Sequence, residues 1–109
     1  MAGQKDKVET LTGFAVKASK LVYGSDNIIK GRKKPLVMMC STASDNTKAA
    51  VKSFCDTTQT DLIITKKPLE EIVYRKNCKV IAFTDKQMAE AIKKNINENY
   101  TLIIPEVGN

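Results

Sequence analysis

The chain has no histidine and no tryptophan, only three cysteines, five glycines and three prolines, and no apolar run near the ~20 residues that a membrane-crossing helix needs. Each absence removes a class of function. Without an imidazole there is no Ser-His-Asp triad, no Cys-His nucleophile pair, no histidine acid–base catalyst and no histidine-containing zinc site. Cys40, Cys55 and Cys78 stand 15 and 23 residues apart, so no Cys-x-x-Cys exists for zinc, iron–sulfur or redox work. An odd count of dispersed cysteines suits three structural free thiols in a reducing compartment. Gly24 and Gly31 fit neither Gly-x-Gly-x-x-Gly nor the Walker pattern, so no nucleotide cradle is expected.

The remaining chemistry-bearing residues do not assemble an active site in sequence. Glu70 and Glu71 are adjacent, and adjacent helical residues point about 100° apart, which makes a solvated helix face the better reading than a catalytic dyad. Asp85 follows a buried strand, where α/β enzymes place catalytic groups, but the helix after it needs a cap. Cys78 lies near Arg75, Lys76 and Lys79, which would lower its thiol pKa, yet no base is nearby. No catalytic residue, metal or cofactor is expected, and an enzyme is disfavoured. The polar start, Met1 to Lys7, has no apolar segment behind its charges, so no secretory signal is expected and the expected location is the cytoplasm.

With 109 residues and 42% apolar content, the chain can bury a single core without disulfide or metal staples. One domain is expected over 1–109, with its core at about 8–95 and a loosely packed tail over 96–109. Val8, Leu11, Phe14, Ala15 and Ala18 recur at helical spacing behind Asp6, a cap candidate. Leu21-Val22-Tyr23 is a short strand stopped by Gly24, and Ser25 or Asp26 is placed to cap a short helix ending at Gly31. Leu36 to Cys40 is continuously apolar, as in a strand covered on both faces. The alternation then continues. A helix opens at Ser44 or Asp45 and carries Ala50, Val51, Phe54 and Cys55; a strand covers 61–65. A helix from Pro68 carries Leu69, Ile72 and Val73; a strand covers 79–83. A helix from Thr84 or Asp85 carries Met88, Ala89 and Ile92, and a last strand lies within 100–105. Short apolar strands alternating with helices predict an α/β fold, a three-layer α/β/α sandwich around a short mixed, mostly parallel central sheet.

The charge is concentrated. Residues 17–34 hold Lys17, Lys20, Lys30, Arg32, Lys33 and Lys34 against Asp26, a net +5 out of the chain's +6. Such a segment is either a surface that meets a polyanion or a solvated basic face. Inside it, Gly24-Ser25-Asp26-Asn27 combines a glycine turn, a helix start with unsatisfied N–H groups and polar side chains able to reach base edges, with Lys30 one turn later. An ordinary capped helix start reads the same way.

The order of elements together with particular residues resembles the ribosomal-protein superfamily of L-seven-Ae and L-thirty-e, the kink-turn RNA binders, most closely its bacterial YlxQ-type members. The resemblance runs from Leu11 to about Ile92. It is carried by Gly13-Phe14-Ala15, by Ala18 to Gly24, by the Leu36 to Cys40 strand, by Ala43-Ser44-Asp45-Asn46-Thr47-Lys48, by Leu69 to Ile72, by Val80 to Asp85 and by Ala89 to Ile92. It implies a three-layer sandwich and a two-part RNA site. The turn that contacts tandem sheared G·A pairs falls on Gly24, Asp26, Asn27 and Lys30, and the loop that holds an extruded nucleotide falls on Arg75, Lys76 and Asn77. This chain departs from the pattern in three places. Asp26-Asn27 stands where the family reads Asn-Glu, the Gly24 to Leu36 interval is about three residues short, or ~4.5 Å of helix, and a glycine is missing within Ile72 to Arg75.

The resemblance thus implies a small monomeric RNA-binding protein linked to the ribosome or translation, with structured RNA, and ribosomal proteins beside it, as partners. Its expected contacts are Lys20, Gly24, Ser25, Asp26, Asn27, Lys30, Arg32, Lys33, Lys34, Arg75, Lys76 and Asn77. The alternative is a protein-interaction module of the same fold with only non-specific affinity for RNA.

Overall fold

A computed structural model describes residues 6–105, in ten elements: α1 (Lys7–Lys17), β1 (Leu21–Tyr23), α2 (Ser25–Lys30), β2 (Leu36–Cys40), α3 (Asp45–Thr58), β3 (Leu62–Thr65), α4 (Leu69–Val73), β4 (Val80–Phe83), α5 (Lys86–Lys94) and β5 (Tyr100–Ile103). Residues 1–5 of the polar start, where no secretory signal is expected, and residues 106–109 of the expected tail lie outside the described residues. Among the described residues no helix is long and apolar enough to cross a membrane.

The five strands form one sheet in the order β1-β4-β2-β3-β5. Side chains alternate across a strand, so β2 sends Leu36, Met38 and Cys40 into one core and Val37 and Met39 into the other. The first core gathers residues of α1, α4 and α5, such as Val8, Ala15, Leu69 and Ile92; the second gathers Ile28 of α2 with Val51 and Cys55 of α3. Helices therefore cover both faces, and the three-layer α/β/α sandwich expected from the alternation is present.

The sheet is not mostly parallel, which corrects the expectation. Only β2 and β3 pair in parallel, while β1·β4, β2·β4 and β3·β5 are antiparallel. The reason lies in connection length and strand order. α4 has five residues, ~7.5 Å of rise, too short to carry the chain back along the sheet, so β4 starts at the end where β3 stops and runs the opposite way. It then inserts between β1 and β2.

Caps fall largely where the sequence puts them. Asp6 accepts from the Glu9 N–H at 3.2 Å, Ser44 from Thr47 N–H at 3.2 Å, and Asp85 from Gln87 N–H at 3.0 Å. α2 differs: Ser25 and Asp26 lie inside it, and Gly24 is the cap residue, with no side-chain hydrogen bond. Ala50, expected on the inner face of α3, is exposed.

The expected loose tail is also corrected over its first part. β5 covers the edge of β3, with Thr65 opposite Tyr100 and Leu62 opposite Ile103. Tyr100 is buried, and its hydroxyl donates to Asp6 Oδ2 at 2.7 Å, 94 residues away in sequence. An apolar strand that seals a sheet edge removes unpaired backbone groups, and it falls within 100–105, where the sequence expects the last strand.

Candidate nucleic-acid interface

Gly24 ends β1 with φ +88° and ψ 139°, a backbone region essentially reserved for glycine. Its N–H donates to Val80 O at 3.0 Å, which fixes the turn against the start of β4. Its carbonyl accepts from the Ile28 N–H at 3.1 Å, and Asn27 Nδ2 donates to Tyr23 O at 3.0 Å. One N–H of the Asn27 amide is thus committed to the turn, and its carbonyl oxygen is an acceptor at the surface. α2 has only six residues, under two turns, so its terminal N–H groups add little and side chains carry the chemistry here.

The second segment arrives from the α4–β4 connection. Asn77 takes φ +60°, a left-handed conformation that Asn tolerates better than most residues. Its N–H donates to Glu70 Oε2 at 2.5 Å, while Glu70 Oε1 receives Lys79 Nζ at 3.3 Å. The backbone hydrogen bond from Asn77, with Lys79 behind it, holds the Glu70 carboxyl below its ordinary value. Lys79 also donates to Thr42 Oγ1 at 3.2 Å, tying the loop to the end of β2.

The two segments, whose Gly24 and Asn77 are 53 residues apart in sequence, meet along a groove of about 460 Å³ lined by Gly24, Ser25, Asp26, Asn27, Lys30, Thr47, Asn77, Lys79 and Val80. Lys30 reaches it despite the shortened Gly24 to Leu36 interval. Arg75 is placed differently: its guanidinium lies over the Tyr23 ring, 3.8 Å from the centroid, a cation–π contact that clamps the loop to β1. Lys76 is exposed on the same loop. Within Ile72 to Arg75, where the resemblance expects a glycine, Tyr74 is 88% exposed and adopts φ +57°, a left-handed conformation strained for a residue with a Cβ.

The other expected contacts do not join this groove. Arg32, Lys33 and Lys34 lead into Leu36, and Lys20 leads into Leu21; both strand starts pair with Phe83, at the far end of β4 from Val80. The +5 segment is therefore split between the two ends of the sheet.

Three residues of the groove region were not anticipated. Thr47 carries no signal in sequence beyond its place after a cap. Lys79 was counted only as a charge near Cys78, and Glu70, read as solvated, organises the loop seven residues ahead of it. The expected lowering of the Cys78 thiol is overturned: burial outweighs the charge of Arg75 and pushes its pKa up, so the thiol is not primed as a nucleophile.

No protein-family model matches the chain, and no curated protein matches it either. Among solved structures the chain is similar to a protein of unknown function from Bacillus halodurans C, with a TM-score of 0.79 and 22% identity, over 86% of this chain and 100% of that one. The likeness is one of fold.

Proposed function

We propose that this is a small RNA-binding protein of the L-seven-Ae and L-thirty-e type that recognises structured RNA, a kink-turn or related internal loop, and serves the ribosome or translation in the cytoplasm without catalysing a reaction. The observation that carries the reading is the convergence of the Gly24–Lys30 turn with Asn77 and Lys79 on one groove. Asp26 and the Asn27 carbonyl are acceptors for a guanine edge, while Lys30, Lys76 and Lys79 supply phosphate contacts that position the RNA.

The deciding measurement is fluorescence anisotropy with a kink-turn hairpin and with the same hairpin carrying Watson–Crick pairs in place of its tandem G·A pairs, at two salt concentrations. A preference of about tenfold, ~1.4 kcal/mol, is expected. Equal, salt-sensitive binding to both rejects the reading.

The exposure of Phe14 (54%) and Tyr74 (88%) along one groove with Gly13 favours a second reading, a module that binds a ribosomal protein. A complex with a purified ribosomal protein that survives nuclease and high salt, and is lost in Phe14→Ser, supports it over the first.

A further inference from the structure

The far end of the sheet has its own surface. Leu21 and Leu36 flank Phe83 from its two sides, and Val37, opposite Leu62, donates its N–H to Asp61 O at 3.1 Å. Lys20, the Arg32–Pro35 connector, Asp61 and the start of α5 therefore lie at the same end of the sheet, and Thr84 N–H donates to the Lys20 carbonyl at 2.9 Å. A groove of about 410 Å³ runs here between Lys33, Lys34, Gln59 and Lys86, with Asp61 and Glu90 also on its wall.

Its charges are unbalanced. The carboxylates of this end are engaged: Asp61 and Glu90 both pair with Lys93, at 2.8 and 3.0 Å, and Asp85 caps α5. Among the described residues Lys20, Arg32, Lys33 and Lys86 are exposed and make no ion pair, and Lys34 Nζ turns onto the Arg32 carbonyl at 2.7 Å. The five residues of β2 separate this end from the first groove by ~16 Å. That is about twice the Debye length at physiological salt, ~8 Å, so the two ends act as separate electrostatic surfaces.

We propose that this end, through Lys20, Arg32, Lys33, Lys34 and Lys86, is a second, sequence-independent surface for RNA phosphates, so that one molecule holds two RNA segments, one at each end of its sheet. Lys20, Arg32, Lys33, Lys34, Lys86 and Lys93 against Asp61, Asp85 and Glu90 leave this end at a net +3, which complements a phosphate backbone, and the flexible stems of the unpaired cations position it without reading bases. The occupancy of the first end rests on the function proposed above; the second surface does not.

The test uses the full chain, the variant Lys33→Gln/Lys34→Gln/Lys86→Gln, and Asn27→Ala/Lys30→Gln, with circular dichroism to verify folding. The probes are a plain RNA duplex, the kink-turn hairpin and its Watson–Crick control, together with energy transfer between a labelled hairpin and a labelled duplex. The triple variant is expected to lose about tenfold in duplex affinity, to shallow the log–log salt slope by about 2, and to lose energy transfer, while keeping its ratio of kink-turn to control binding. Asn27→Ala/Lys30→Gln is expected to do the reverse in the ratio and to keep the duplex affinity. Wild-type duplex affinity and slope in the triple variant overturn the second surface and leave the proposed function standing. Loss of duplex binding in the triple variant with no kink-turn preference in the wild type rejects the proposed function and supports the surface. Absent energy transfer in the wild type overturns the two-segment arrangement. Retention on phosphatidylserine vesicles without duplex binding assigns the surface to membranes and overturns the proposal.

Discussion

Glu70 decides the shape of the Asn77 loop with one carboxylate: one oxygen takes the Asn77 N–H and the other the Lys79 ammonium. Replacing it by Gln keeps the volume and removes the charge that both donors face. Two effects on RNA binding then separate. The loop loses its tether, so discrimination between a kink-turn and its Watson–Crick control is expected to fall toward unity. Lys79 also loses its neutralising partner, so binding to the Watson–Crick control hairpin is expected to tighten and its salt slope to steepen by up to ~1. Anisotropy titrations on Glu70→Gln check both at once, and a variant with unchanged discrimination denies that Glu70 positions the loop. Nothing in sequence marks Glu70 apart from Glu71, because a hydrogen bond to a backbone N–H seven residues on depends on the left-handed turns at Tyr74 and Asn77. The Arg75–Tyr23 stack was equally hidden, since it joins the α4–β4 connection to the end of β1, which only the sheet brings together. Gly24, in contrast, was legible, because a glycine after a short apolar run marks a turn that other residues resist.

At the scale of elements, β5 is held by its register on β3 and by a polar knot at its first residue. Tyr100 donates to Asp6, which also pairs with Lys67 at 3.0 Å. Burial of Asp6 works against its charged form, but the hydrogen bonds from Tyr100, Lys67 and the Glu9 N–H outweigh it and hold its pKa below the ordinary 3.8. A carboxyl depressed in the folded state adds stability that is complete above its unfolded value and fades as pH falls through the folded value. Asp6→Asn keeps a good helix cap but not the charge, and is expected to cost about 1 kcal/mol near neutral pH. In urea denaturation the gap between wild type and variant should begin to close near pH 3.8 and vanish below the folded pKa of Asp6. A gap that stays constant down to strong acid shows that the charge of Asp6 contributes nothing.

This knot also shows where pattern reading stops. Apolar runs located all five strands to within a residue or two, and Ser44, Asp85 and Asp6 marked their helices. The sheet order stayed hidden, because alternation predicts like direction for successive strands, which fails where α4 is too short to return the chain, and says nothing of which strands become neighbours. The chain does run β1-α2-β2, β2-α3-β3 and β4-α5-β5 with like direction, but β4 enters between β1 and β2 and makes most pairings antiparallel. The same insertion brings Val80 beside Gly24 and so creates the groove.

For the molecule as a whole, the question is whether the two faces of the sheet unfold together. The cores on the two faces share strands: β2 and β4 each supply alternate residues to both, Ile81 and Phe83 to one and Val80 and Ala82 to the other. Losing either helical layer bares one side of these strands to water, and burial of each such side chain is worth about 1.5–3 kcal/mol. A domain with total stability of about 5–15 kcal/mol cannot lose a whole layer and keep its sheet. Cysteines report on both sides. Cys40 packs in the α1, α4 and α5 core, and Cys55 packs in the α2 and α3 core, where burial and the nearby Asp56 and Asp61 push its thiol up to about 12. Because both thiols are buried, labelling at mildly alkaline pH has to wait for opening. Proteins that retain only Cys40 or only Cys55 are therefore expected to label with opening free energies equal to their own global values from urea denaturation, and with the same dependence on urea. An opening free energy at one site several kcal/mol below the global value, with a shallower urea dependence, shows instead that one layer detaches alone and that the sheet is stable with a single covered face.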